Sequence, residues 1–219
     1  MWGNLLMSRE IEILERLNRI KAEIPSHVTL IVVTKTYPVD DIDILYRAGI
    51  RDFGENRDHE GASKSAHLPL DINWHFQGQI QSNKLKSILS WATYIHSLDD
   101  LDHAKKANRI LVKPKDFFVQ VNLDGRPHRG GVAPDSLPNF IDEVIELPMV
   151  NLVGLMAVAP QEIEPNRAFE TLAEIRSRIS SEFPQIKYLS AGMSGDYREA
   201  IAHGATHVRI GSSILGSRG

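Results

Sequence analysis

The sequence predicts an α/β fold, a single-domain (β/α)8 TIM barrel with an extra N-terminal helix, on three observations. Eight short runs rich in β-branched and aromatic residues are spaced along the 219 residues. Helical patterns separate them, and alternating strand and helix signals imply parallel strands joined by right-handed crossovers. No G-x-G-x-x-G turn follows the first run, and an open doubly wound sheet more often shows five or six strands than eight. One barrel uses residues 1–219 and leaves little room for a second domain.

The elements follow in order. Residues 1–25, "MWGNLLMSREIEILERLNRIKAEIP", lack the basic and unbroken apolar regions of a secretory signal. Ile11, Leu14, Leu17 and Ile20 recur at helical spacing, with Ser8 as candidate cap. The first strand, "VTLIVVTK" (28–35), is closed off by Pro38, which cannot continue a ladder. Further strands are expected at 51–56, 73–78, 93–98, 116–123, 151–158, 186–192 and 206–211. Helical patterns cover 39–49, 98–108, 136–147 and 166–183, and a further helix should begin near Asp196. The longest linker, "DGRPHRGGVAPDS" (124–136), is the expected mobile element.

Composition narrows the function. A net charge of −3 argues against a nucleic-acid footprint or an acidic membrane surface as partner, and points to small metabolites. No apolar run approaches the roughly 20 residues that span a bilayer. The absence of cysteine removes disulfides and thiolate metal sites and makes a cytoplasmic address the expectation. Among His96, His203 and His207 no pair shows the His-x-x-x-His spacing on one helix face, and no carboxylate pattern accompanies them, so no metal is expected.

The chemistry should lie at the C-terminal ends of the strands, where such barrels place their sites. Lys35 ends strand one; as a plain strand-end charge it would be unremarked, and as a nucleophilic amine it needs partners. "LSAGMSGD" (189–196) and "RIGSS" (209–213) follow strands seven and eight, and offer small side chains, hydroxyls and backbone N–H groups of the kind that hold a phosphate. Closure places strand eight beside strand one, so Lys35 should stand near that anion site. An amine beside a phosphate suits a Schiff base with pyridoxal 5′-phosphate.

The motifs "VVTKTYP", "FGENR", "WHFQGQIQSNK", "QVNLDG", "GLMAV", "LSAGMSGD" and "VRIGSSILG" together resemble, in order, those of the pyridoxal-phosphate homeostasis proteins, also called the proline synthase co-transcribed family. That family's fold is similar to the N-terminal barrel of alanine racemase. The resemblance implies that Lys35 carries the cofactor, that Ser194, Gly211 and Ser212 hold its phosphate, and that Arg209 faces the pyridine nitrogen. It also implies that Asn56 and His75 line the pocket near the ring, where Met156 could touch it. From the residues alone, His75 reads instead as a core histidine satisfied by a neighbouring carbonyl. The chain departs from the common pattern at Arg57, His59 and Gly78 to Ile80.

An always-charged guanidinium disfavours protonation of a pyridine nitrogen beside it, which makes the cofactor a poor electron sink. The expectation is therefore a pyridoxal 5′-phosphate-binding protein of vitamin B6 homeostasis with no robust catalysis of its own. Its expected partners are the cofactor and the apo-enzymes that depend on it, with the chain a monomer or weak dimer. Two-base racemization would lack the second group that alanine racemase draws from an additional domain. The alternative is a racemase, decarboxylase or lyase acting on amino acids through the same Lys35 linkage.

Overall fold

The computed structural model describes residues 2–126 and 129–216, with side chains from residue 8 onward. Pro127 and His128, in the expected mobile linker, lie outside the described residues. A helix α1 (Trp2–Glu23) precedes eight strands: β1 (Thr29–Val33), β2 (Asp52–Glu55), β3 (Asn73–Phe76), β4 (Tyr94–Leu98), β5 (Lys115–Gln120), β6 (Val150–Met156), β7 (Tyr188–Ser190) and β8 (His207–Ile210). Each pairs in parallel with the next, and β8 pairs with β1, closing the barrel in sequence order. The helices between them are α2 (Val39–Arg47), α3 (Asp58–His67), α4 (Leu85–Trp91), α5 (Leu101–Ile110), α6 (Leu137–Ile145), α7 (Pro165–Glu182) and α8 (Tyr197–Ala202), with α9 (Ser212–Leu215) after β8. No described helix is long and apolar enough to cross a membrane.

The strands are shorter than the apolar runs that announced them, because in every run but the fourth the final residues leave the ladder to form the loops at one mouth. Ser8 does not cap α1, which begins six residues earlier. The buried stripe of that helix is Ile13, Leu17 and Ile20, while Ile11 is 54% exposed. The reason is angular: at 100° per residue, 13, 17 and 20 share a face and 11 lies nearly opposite. α1 packs against α2 and α9 on the outside of the β1/β8 seam, where Arg9 donates to Asp41 of α2 and to the Leu215 carbonyl of α9. The linker after β5 is tied down where described. Val132 bridges Val121, Gly131 N–H donates to Asp99, and Arg129 pairs with Asp124 at 2.7 Å.

Candidate functional site

A cavity of about 270 Å3 opens at the C-terminal ends of the strands. One wall comes from β1 and β2. Lys35 stands two residues beyond the end of β1, half-buried, in a turn that the surrounding charges fix from both sides. On one side, Lys64 of α3 donates to the Thr34 carbonyl at 2.8 Å and to Glu55 at 2.7 Å, and the Thr34 hydroxyl donates to the same Glu55 oxygen at 2.6 Å. On the other, Thr36 has φ 70°, in the left-handed region that a β-branched residue avoids, and its N–H donates to Glu60 at 2.7 Å. Burial pushes the Glu55 carboxyl above the usual range against the pull of Lys64. Burial works the same way on Glu60, but the Thr36 N–H and Lys64 outweigh it and hold that carboxyl below the range.

The adjoining wall is built by β7 and β8. Gly192 has φ +90°, and a Cβ there would meet Ala200 Cβ at 2.7 Å, so glycine allows the tight turn from β7 into α8. Asp196 caps that turn by accepting from Met193 N–H at 2.6 Å. The Ser194 hydroxyl then receives two long contacts, from Gly211 N–H at 3.3 Å and Ser213 N–H at 3.4 Å. Two backbone donors of the segment after β8 thus converge on the loop after β7, beside Ser212. Gly211 sits against β1 so closely that a Cβ would lie 3.0 Å from the Val33 carbonyl.

The floor carries Arg209, buried at 5% exposure. Its guanidinium donates to the Ser190 carbonyl and hydroxyl at 2.7 and 2.8 Å and to the Ala157 carbonyl at 2.9 Å. Among the described residues no carboxylate forms an ion pair with it, and burial pulls its pKa down to about 10. Asn56 and Gln77 follow directly on β2 and β3 and line the same cavity. Asn56 Oδ1 and Gln77 Nε2 are buried without a hydrogen-bond partner.

The cavity therefore gathers Lys35, Asn56, Met156, Ser194, Arg209, Gly211 and Ser212. His75 does not line it. Its ring lies within the barrel, 1% exposed, bonded to Asp52 at 3.0 Å and His96 at 2.9 Å, because it sits on the inward pleat two residues before Gln77 and so one layer deeper than the mouth. Its core reading is the one the geometry matches, although the satisfying partners are side chains and not a carbonyl. His203 caps α8 on the outside, His96 and His207 face the barrel interior, and no described cluster of histidines and carboxylates could hold a metal. Sequence reasoning passed over Gln77 and Tyr37, both of which line the cavity; the Tyr37 hydroxyl donates to the Gly216 carbonyl at 2.6 Å. Gln77 had a signal: it holds the same place after β3 that Asn56 holds after β2.

Comparison with known proteins adds an independent line. Residues 11–219 match the family model for the alanine racemase N-terminal domain. Proteins named pyridoxal phosphate homeostasis protein are 38% identical in Corynebacterium glutamicum, over 91% of this chain and 97% of theirs, and 37% identical in Synechocystis, over 92% and 96%. The structure of PipY from Synechococcus elongatus with pyridoxal phosphate bound superposes with TM-score 0.87 at 33% identity, covering 93% of this chain and all of that one. Alanine racemase of Clostridium difficile superposes with TM-score 0.78 over 94% of this chain and 57% of its own; at 17% identity that likeness speaks for the fold alone.

Proposed function

Because the chain belongs to the alanine racemase N-terminal domain family, and within it to the pyridoxal phosphate homeostasis proteins, we infer that its cavity binds pyridoxal 5′-phosphate and serves the handling of that cofactor. The observation that carries this reading is the pairing of a lysine amine and convergent anion-binding N–H groups in one small cavity over a buried arginine. The residues fit the group. The unpartnered Asn56 and Gln77 atoms await a polar ligand, and the Gly211 and Ser213 N–H groups are held by the Ser194 hydroxyl through long contacts alone.

Lys35 would hold the aldehyde carbon, and the braces on Thr34 and Thr36 keep its backbone from swinging away. Gly211, Ser212, Ser194 and Ser213 would hold the phosphate through N–H and O–H donors. Arg209 would lie under the ring nitrogen as a donor-only group. When bound, the cofactor supplies an electrophilic aldehyde and an electron-withdrawing ring. A permanent cation beside the ring nitrogen keeps that nitrogen unprotonated, which supports retention and delivery of the cofactor over turnover of amino acids. Apo-enzymes as recipients, a cytoplasmic setting and a monomer or weak dimer belong to the same proposal.

The test is an absorption spectrum of the purified protein, followed by borohydride reduction and mass mapping of the modified lysine. The expected result is a visible band and a reduced adduct on Lys35. A colourless protein that gains no band on adding the cofactor overturns the reading. Rapid, substrate-selective α-proton exchange of amino acids in deuterated solvent would replace it with the enzyme alternative.

A further inference from the structure

Below the cavity, four hydrogen bonds run in series through the barrel. Arg209 Nη1 meets Ser190 Oγ at 2.8 Å, Ser190 Oγ meets His96 Nδ1 at 2.9 Å, His96 Nε2 meets His75 Nδ1 at 2.9 Å, and His75 Nε2 meets Asp52 Oδ1 at 3.0 Å. The series crosses from β7 to β4, which are not neighbours in the sheet, and ends on the first residue of β2. Ser190, His96 and His75 are at most 1% exposed, whereas the Asp52 side chain is 26% exposed.

The two ends fix the direction of every bond between them. A guanidinium only donates, and an ionised carboxylate only accepts. Asp52 therefore takes the Nε2 proton of His75, which leaves Nδ1 of a neutral His75 as an acceptor. His96 must then donate from Nε2, its Nδ1 becomes an acceptor, and the Ser190 hydroxyl donates to it while receiving Arg209 on a lone pair. Burial keeps both imidazoles neutral by lowering their pKa values, His96 well below the ordinary value. The reverse order would face the His75 lone pair to the carboxylate and strand the Ser190 proton. Ring stacking locks the orientation, His96 on Phe118 at 4.2 Å and His75 on Tyr94 at 4.7 Å. Asn73 donates a second bond to the same Asp52 oxygen at 3.2 Å, and His207 turns its Nδ1 to Thr206 and stays outside the series.

We propose that Asp52, at the mouth of the barrel opposite the cavity, is a positioning residue for Arg209: it sets the direction of the whole series, so that Ser190 is held as an acceptor under the guanidinium. The buried arginine, which has no described carboxylate in contact, thereby receives support from one at the far end. Its bearing on cofactor retention rests on the function proposed above, while the bond order itself does not.

The test uses the ligand-free protein with 15N-labelled histidine. In the wild type, His75 and His96 should each give one neutral tautomer protonated on Nε2. In Asp52→Ala the far end opens to water, and His96 should lose that single tautomer. A wild-type His96 protonated on Nδ1, or a His96 unmoved in the variant, overturns the proposal, since local packing alone would leave it unmoved. Asp52→Asn, whose oxygen is kept in place by Asn73, should restore the single tautomer, which keeps the test open if the alanine variant folds poorly. With pyridoxal 5′-phosphate as probe, Asp52→Ala should bind roughly five-fold more weakly and Asp52→Asn within about two-fold of wild type; equal weakening by both would overturn the positioning role. Failure of the wild type to load Lys35 would remove the cofactor reading and leave the tautomer result standing.

Discussion

The two walls of the cavity are held by different physics. Around Lys35 the structure spends formal charges: a buried Lys64–Glu55 pair at 2.7 Å, and Glu60 on the Thr36 N–H. Beside it, the Ser194 and Gly211 wall relies on backbone N–H groups and hydroxyls. The contrast follows from what each wall must present. A single amine has to be aimed, and directional bonds to charged groups restrain its backbone most strongly. An anion is met from many angles, so several neutral donors suit it and need no counter-charge of their own.

Four changes would break or sharpen that contrast. Lys35→Ala should abolish covalent loading altogether, with no borohydride-reducible adduct detectable by mass, while the serine wall keeps a residual, non-covalent affinity. Lys64→Met should lower stability by about 3–5 kcal/mol, because it leaves the Glu55 carboxylate buried without its partner, and Glu55→Gln in the same chain should recover most of the loss. Urea unfolding measures both; equal stability of Lys64→Met and wild type would show that the ionic wall is decoration. Ser194→Ala and Ser212→Ala should each cost about 1.5–3 kcal/mol of cofactor binding, as expected for a hydrogen bond to a charged group, with little change in the unfolding midpoint.

The fourth concerns acid. Burial holds His207 near pKa 4, against 6.5 for a free imidazole. The unfolded chain therefore binds the proton first, so this contribution to stability is complete above pH 6.5 and is lost as the pH falls from there to about 4. His75 and His96 shift in the same direction. Each such group adds up to about 1.4 kcal/mol per pH unit inside its window. Replacing His207 with asparagine should flatten the dependence of the urea midpoint between pH 6.5 and 4.5; an unchanged slope would mean that His207 is already charged in the fold.

Much of the site could be read from the sequence because its residues sit where strands end, and strand ends are marked by composition. Gly211 and Ser212 interrupt "VRIGSS" at the point where β8 stops, and Pro38 marks the turn that follows Lys35. Depth within the barrel is another matter. His75 and Gln77 lie two residues apart in "WHFQG", yet one is sealed inside and the other lines the cavity, since the position of the last ladder pair decides between them and the β2–β3 register ends at Glu55 and Phe76. Nor did the sequence reveal Glu55, Glu60 and Lys64 as the braces of Lys35. Glu60 and Lys64 meet the peptide groups flanking that lysine and Glu55 the Thr34 hydroxyl, some twenty to thirty residues earlier, and no local periodicity links them.

The seam between β1 and β8 has a consequence in time. Lys35 and Ser212 belong to the first and last strand units, and Arg9 fastens the outer face of that seam to the Leu215 carbonyl, 206 positions further on. On a ribosome the chain emerges from its N-terminal end. The amine is therefore displayed long before the donors that would secure an anion beside it exist, and an aldehyde met during synthesis finds a lysine without its pocket. Under the function proposed above, secure loading would wait until the eighth strand has closed against the first.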